Sequence, residues 1–347
     1  MEIWRGGESG DWDTLQSALA AACVSDGLPL VPPTPARVDA LLASGGWQHG
    51  DEIALVAPSF ETATAGDLAL CAAMAGCTPA SFPVLVAAVE ALADPQFNLL
   101  GIATTTGSAA PILIVNGPIA ARIGLNGAGN ALGAGARANM TLGRALALVL
   151  LNVCGARPGE TDMATLGQPT KRGLCFSENS TESPWTPLHV ERGFAAEDSV
   201  VTVVGIAGTV EVNDSDSTTA ADMAQTFAQS MLIAGVAGGS GLLGGGEPLC
   251  LLPPEWATAF AQDGLDKAAA KRVIWQRAVL DAEKLPTALR RRRLAAAEAG
   301  ADVLRVAEHP EDLMIVVAGG VGRKAAYLPT WGGGTRAVSR KIRTPPR

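Results

Sequence analysis

The apolar positions along this chain fall into short continuous runs and helical stripes, divided by glycine and proline. Residues 111–115, Pro111-Ile112-Leu113-Ile114-Val115, form the clearest run. It is continuous rather than alternating, the pattern of a strand covered on both faces. Residues 53–57, 200–206, 249–252 and 313–317 read as further strands, and residues 97–106, rich in threonine, as β-like. Helical patterning predicts helices over 12–24, 35–42, 81–92, 138–153, 218–236, 255–262, 266–280 and 287–299. Another helix through Leu68–Ala75 stops at Gly76, which can take the left-handed cap conformation. Thr78 and Pro79 then suit the cap and first position of the next helix.

Strand, turn and helix alternate in a way that favours an α/β fold, with a mostly parallel sheet flanked by helices and glycine-rich loops at strand C-terminal ends. One large domain over 1–347 is expected, with a two-lobed division near 195–200 as the alternative. Residues 112–117 and 314–319 echo each other as apolar strands entering glycine turns, a match too short to establish duplication. Residues 155–187 are polar and irregular, a length of loop that is usually functional or disordered.

Composition narrows the classes. Hydrophobic residues make up 48% and charged residues only 17%, so a large core is assured. The net charge of −8 argues against nucleic-acid binding, and the basic runs 290–293 and 340–343 read as solvated faces or oligomer contacts. Six dispersed cysteines with no CxxC pair indicate neither a disulfide scaffold nor a structural zinc site. The polar start and the short apolar runs predict neither signal peptide nor membrane span. A cytoplasmic homo-oligomer acting on a small molecule is the expectation. No cofactor is expected. The 124–135 glycine stretch lacks a P-loop, and Gly127-Ala128-Gly129-Asn130-Ala131-Leu132 ends in leucine where a dinucleotide fingerprint needs glycine or alanine.

Candidate chemistry gathers in three places. Cys77 lies just outside a predicted helix N-terminus, where partial positive charge favours a thiolate; the bland reading is a small residue filling a helix junction. Asn116, Asn126, Asn130 and Asn139 cluster among glycines beside Arg137 and Arg144, and several buried amides aimed at one space suit a carboxylate or carbonyl ligand. Arg137 and Arg144 would share a helix face and grip an anion, or else serve as anchors. The long loop carries Glu178, Asn179, Ser183, Trp185, His189 and Glu191. His189 and Glu191, two apart, would face one side of an extended segment, letting the carboxylate orient the imidazole for acid–base work.

Four segments together resemble a known group: Met74–Pro79, Pro111–Pro118, Asn139–Ala145 and Ser183–His189. They are similar to a poorly characterised bacterial family whose members are sometimes joined to a domain bearing a selenocysteine or cysteine UGSC motif. The likeness runs from about Asp26 to the C-terminal glycine turn. It implies thiol or redox chemistry, although the UGSC segment itself is absent from this chain.

The leading expectation is a small-molecule lyase, transferase or reductase. Cys77 is its nucleophile or redox thiol, His189 and Glu191 its acid–base pair, and Glu178 joins them. Asn116, Asn126, Asn130, Asn139, Arg144, Asn179, Ser183 and Trp185 would hold the substrate. The alternatives are a metal-dependent lyase or hydrolase using His189, Glu191 and Glu178, and a non-catalytic ligand-binding scaffold.

Overall fold

The computed structural model of the chain describes residues 11–232, 246–296 and 304–343. Ahead of the first long strand the chain is mainly helical. Asp11 caps α1 (Trp12–Ala21) by accepting from the Thr14 amide, and α2 (Pro35–Ala43) starts on its proline. A hairpin of β1 (Glu52–Val56) and β2 (Glu61–Thr64) leads into α3 (Ala65–Ala75). A reciprocal Thr64–Asp67 capping box starts that helix, and Gly76 ends it at φ 83°. A short 3-10 turn at Pro79–Ser81 precedes α4 (Phe82–Leu92).

Residues 97–106 depart from the β-like expectation. Asn98 turns left-handed at φ 52° and its side chain accepts from the Gly101 amide, which starts α5 (Leu99–Thr104). A strong local cap overrides the weak β preference of the threonines.

The remaining elements are β3 (Ala110–Asn116), α6 (Pro118–Arg122), α7 (Arg137–Asn152), β4 (Cys175–Ser177), α8 (Leu188–Glu191), β5 (Val200–Ile206), β6 (Val210–Asn213) and α9 (Ala220–Met231). After them come β7 (Leu249–Leu252), α10 (Pro254–Gln262), α11 (Lys267–Arg277), β8 (Val279–Leu280), α12 (Thr287–Ala296), β9 (Leu304–Arg305), β10 (Met314–Val317), β11 (Lys324–Leu328) and β12 (Val338–Lys341). The predicted helical residues 233–236 and 297–299 lie outside the described residues, as does the chain start.

Two four-stranded sheets, ordered β12-β5-β3-β4 and β10-β7-β11-β6, form the centre. Ile112, Ile114, Val204 and Ile206 of the first sheet share one apolar cluster with Leu249, Leu251, Met314 and Val316 of the second. The alternate residues Leu113, Val115, Val201 and Val203 pack outward against α3, α4 and α7. On the other side Cys250, Leu252, Ile315 and Val317 pack against α9, α10 and α11. Period-two alternation therefore builds helix, sheet, sheet and helix layers with three cores.

The sheets are mixed, which corrects the expectation of a mostly parallel one. Only β3–β4 and β7–β10 run parallel; the other pairs in both sheets are antiparallel. The parallel pairs are those joined across long helical connections, through α7 in one case and α10 to α12 in the other. From β10 the chain turns into β11 through a short glycine stretch, too short to carry it back to the start of the sheet, so the strand returns in the opposite sense. The chain passes between sheets after Ile206, beyond the division near 195–200 suggested by the sequence.

Candidate functional site

β4 and β10 are edge strands, and their C-terminal ends meet at one corner of the sandwich. There the Asn179 amide donates to the Val317 carbonyl at 2.8 Å, and the Asn179 side chain donates to Gly319 O at 3.1 Å and to Glu182 at 2.7 Å. The glycine stretch after α6 crosses the same corner. The Gly319 amide donates to Gly127 O at 2.8 Å, and a Cβ on Gly320 would stand 2.8 Å from the Gly129 Cα. Only glycine permits so close a backbone approach.

Glu178 sits directly beyond β4 with its side chain wholly buried. One carboxylate oxygen accepts from the Asn116 side-chain amide at 2.6 Å and from the Leu188 amide at 2.7 Å. The other oxygen has no hydrogen-bond partner, and the nearest cation, Lys267, lies 4.0 Å away. Asn116 Oδ1 is likewise buried without a partner. Burying a carboxylate is costly unless it is paired, so this arrangement needs its lysine.

Lys267 leads outward from there. Its ammonium donates to Thr186 O at 3.1 Å and pairs with Glu191 at 2.8 Å, and Glu191 also pairs closely with Lys271. Lys267 and Lys271 are one helical turn apart on α11, so both face α8. Burial pushes the Glu191 carboxyl up, but the two ammonium groups outweigh it and hold the group below the usual glutamate range. Glu191 and Lys271 also line a cavity of about 330 Å³, together with Arg192, Glu247, Glu311 and Met314. A continuous ionic chain thus runs from a fully enclosed carboxylate to the wall of a pocket.

The other predicted residues take different places. His189 is buried, with Nε2 3.3 Å from Ala196 O and Nδ1 unpartnered; its expected companion Glu191 is bound to the lysines instead. In a short helix, residues two apart point to different sides, so the extended-strand argument for that pair does not hold. Cys77 packs into the outer helical layer, its thiol donating to Thr141 O at 3.4 Å. Burial pushes that thiol up to about 11, against the thiolate expected at a helix mouth. Neither the 330 Å³ cavity nor a second one of about 780 Å³ is lined by Cys77 or His189.

Asn126, Asn130 and Asn139 hold the glycine stretch rather than an open space. Asn139 exchanges hydrogen bonds with the Asn126 backbone at 2.8 and 2.9 Å, and Asn130, at φ 60°, donates to Ala134 O. Arg144 grips Asp26 through two bonds of 2.8 Å, and Arg137 donates to Gly76 O, so both arginines are anchors. Ser183 accepts from the Trp185 amide in a turn, and the Trp185 indole donates to Leu265 O beside Phe260.

Among the described residues no group of three or more His, Cys, Asp or Glu side chains is placed to hold a metal ion. No single described helix is long and apolar enough to cross a membrane. No family model, curated protein or solved structure matches the chain. Of the residues in this cluster, the sequence reading names Asn116, Glu178 and Glu191 and omits Lys267 and Lys271. Their spacing in Lys267-Ala268-Ala269-Ala270-Lys271 was the available signal, yet it is also the spacing of an ordinary solvated helix face.

Proposed function

We propose that the protein is an enzyme acting on a small polar molecule by acid–base chemistry, with Glu191 and Lys271 facing the substrate in the 330 Å³ pocket. Lys267 and Glu178 lie behind them as a charge reserve. The observation that carries this reading is the ionic chain Glu178–Lys267–Glu191–Lys271, which couples an enclosed carboxylate to a pocket wall. A proton gained or lost at Glu191 is compensated by two lysines, and the enclosed Glu178 balances Lys267 in turn. A carboxylate whose pKa is shifted by paired lysines at a cleft wall is a candidate acid–base group. Asn116 and the Leu188 amide hold Glu178 in position. A thiol reaction at Cys77, the chemistry implied by the UGSC resemblance, is the second reading. A raised, packed thiol supports it less well.

The test is an NMR screen of the whole chain against glycine, serine, malate and ethanolamine, recording both saturation transfer and turnover. A ligand found with the wild type is expected to be lost in Lys271→Met and weakened in Glu191→Gln. A ligand bound and turned over equally well by both variants overturns the reading. The same screen on Cys77→Ala separates the thiol alternative, which predicts loss of turnover there.

A further inference from the structure

A second cavity, of about 780 Å³, lies elsewhere, along the outer side of α7. Leu99, Ile102, Leu146, Ala147 and Leu150 form its apolar wall. Residues 166–173 form one bank and Asp26–Leu28 the other. Each bank presents a leucine to solvent, Leu166 at 93% and Leu28 at 55% exposure. The two leucines extend the apolar lining of the trough out to its borders.

Both banks are fixed in the free protein. Arg144 clamps the Asp26 side and also donates to Leu28 O and Pro29 O. On the other side Lys171 pairs with Asp162 at 2.6 Å and Gln168 donates to Ile206 O at 3.3 Å. Gly143 and Gly173 touch backbone to backbone there, since a Cβ on Gly173 would stand 2.1 Å from the Gly143 carbonyl. The cavity is therefore preformed, and its size is that of a site enclosing a small organic ligand.

Its charges decide the class of ligand. Asp26 is neutralised by Arg144 and Asp162 by Lys171. Arg172 also lines the cavity, is exposed, and has no ion-pair or hydrogen-bond partner among the described residues. Among the described lining residues the uncompensated charge is thus a guanidinium, which favours a carboxylate. We propose that this groove binds an aliphatic carboxylic acid, its chain laid along α7 between Leu28 and Leu166 and its carboxylate on Arg172. The site is separate from the acid–base pocket and does not depend on that reading.

Isothermal titration calorimetry with decanoate, below its micelle concentration, tests this on the full chain. The wild type is expected to bind decanoate, and Arg172→Ala to weaken it about tenfold, as loss of one charge-assisted contact does. Ala147→Trp, which fills the trough from a position outside the packed core, is expected to abolish binding while circular dichroism shows the fold retained. Lys271→Met is expected to leave decanoate affinity unchanged, which separates this site from the acid–base pocket. Three results overturn the proposal: no binding by the wild type, equal affinity in folded Ala147→Trp, or decyltrimethylammonium bound as tightly as decanoate.

Discussion

The two sheets are built alike and finished differently. In each, a central strand pairs in parallel with an edge strand reached through helices, and in antiparallel fashion with a strand that follows. β3, β4 and β5 have β7, β10 and β11 as their counterparts, and the fourth strand in each sheet, β12 or β6, is the one that follows β11 or β5 of the other sheet in sequence. The strand ends differ. β3 ends in Asn116 and β4 runs into Glu178 and Asn179, whereas β7 runs into Pro253 and Pro254 and β10 into Ala318, Gly319 and Gly320. One half supplies polar groups. The other supplies small residues that let those groups and the 124–135 stretch come within backbone distance. Near-equivalent frames thus divide chemistry and space between them.

The most damaging way to break this division is to remove the space. A Cβ on Gly127 would lie 2.1 Å from the Ser177 carbonyl oxygen, so Gly127→Ala is expected to cost about 3 kcal/mol or to prevent folding. Gly129→Ala, whose nearest neighbour would be 3.9 Å away, should leave the urea midpoint almost unchanged. Equal tolerance of both substitutions would refute the close-approach argument.

Next is the removal of the polar group. Glu178→Ala strands the Asn116 side-chain amide and the Leu188 amide, an expected loss of about 2–4 kcal/mol. Adding Asn116→Leu removes one stranded donor, so the double variant should lose less than the sum of the two single changes. Strict additivity in the unfolding cycle would show that the contact carries no coupling.

A gentler probe is acid. The Glu191 pKa is lower in the folded chain than in the unfolded one, so its contribution is complete above the unfolded glutamate range. That contribution is lost as pH falls toward the depressed folded value. In Lys271→Met the depression shrinks, so its urea midpoint should fall less between pH 5 and pH 3 than that of the wild type. Parallel curves for the two proteins would mean that Lys271 does not hold Glu191 ionised.

The smallest expected effect is at Cys77. With its thiol pushed up to about 11, it should resist iodoacetamide at pH 7.5 while the exposed Cys23 is labelled, as peptide mass spectrometry would read. Rapid labelling of Cys77 would restore the thiol reading.

Much of the fold was legible because local chemistry was strong. The Gly76 cap, the Pro35 start and the buried runs of β3, β5 and β7 appear where the sequence puts them. β12 was not legible. Its Arg340 and Lys341, read as a basic patch, sit on a strand paired with β5 and bind Asp94 and Asp198. Those partners lie far away in the chain, and nothing local announces them. The site shows the same limit. Asn116 and Glu178 stood out as polar residues beside apolar strands, but Lys267 becomes a buried ion only when α11 packs near α8. Sequence separation hid the partner, and burial gave it meaning.

The traded strands also set an order of events during synthesis. β5 has no neighbour on one side until Val338–Lys341 emerges, so the first sheet keeps an open edge while everything after Ile206 is being made. A nascent chain halted before β12 should therefore expose a sticky border and call on chaperones, although most of its apolar residues are already in place.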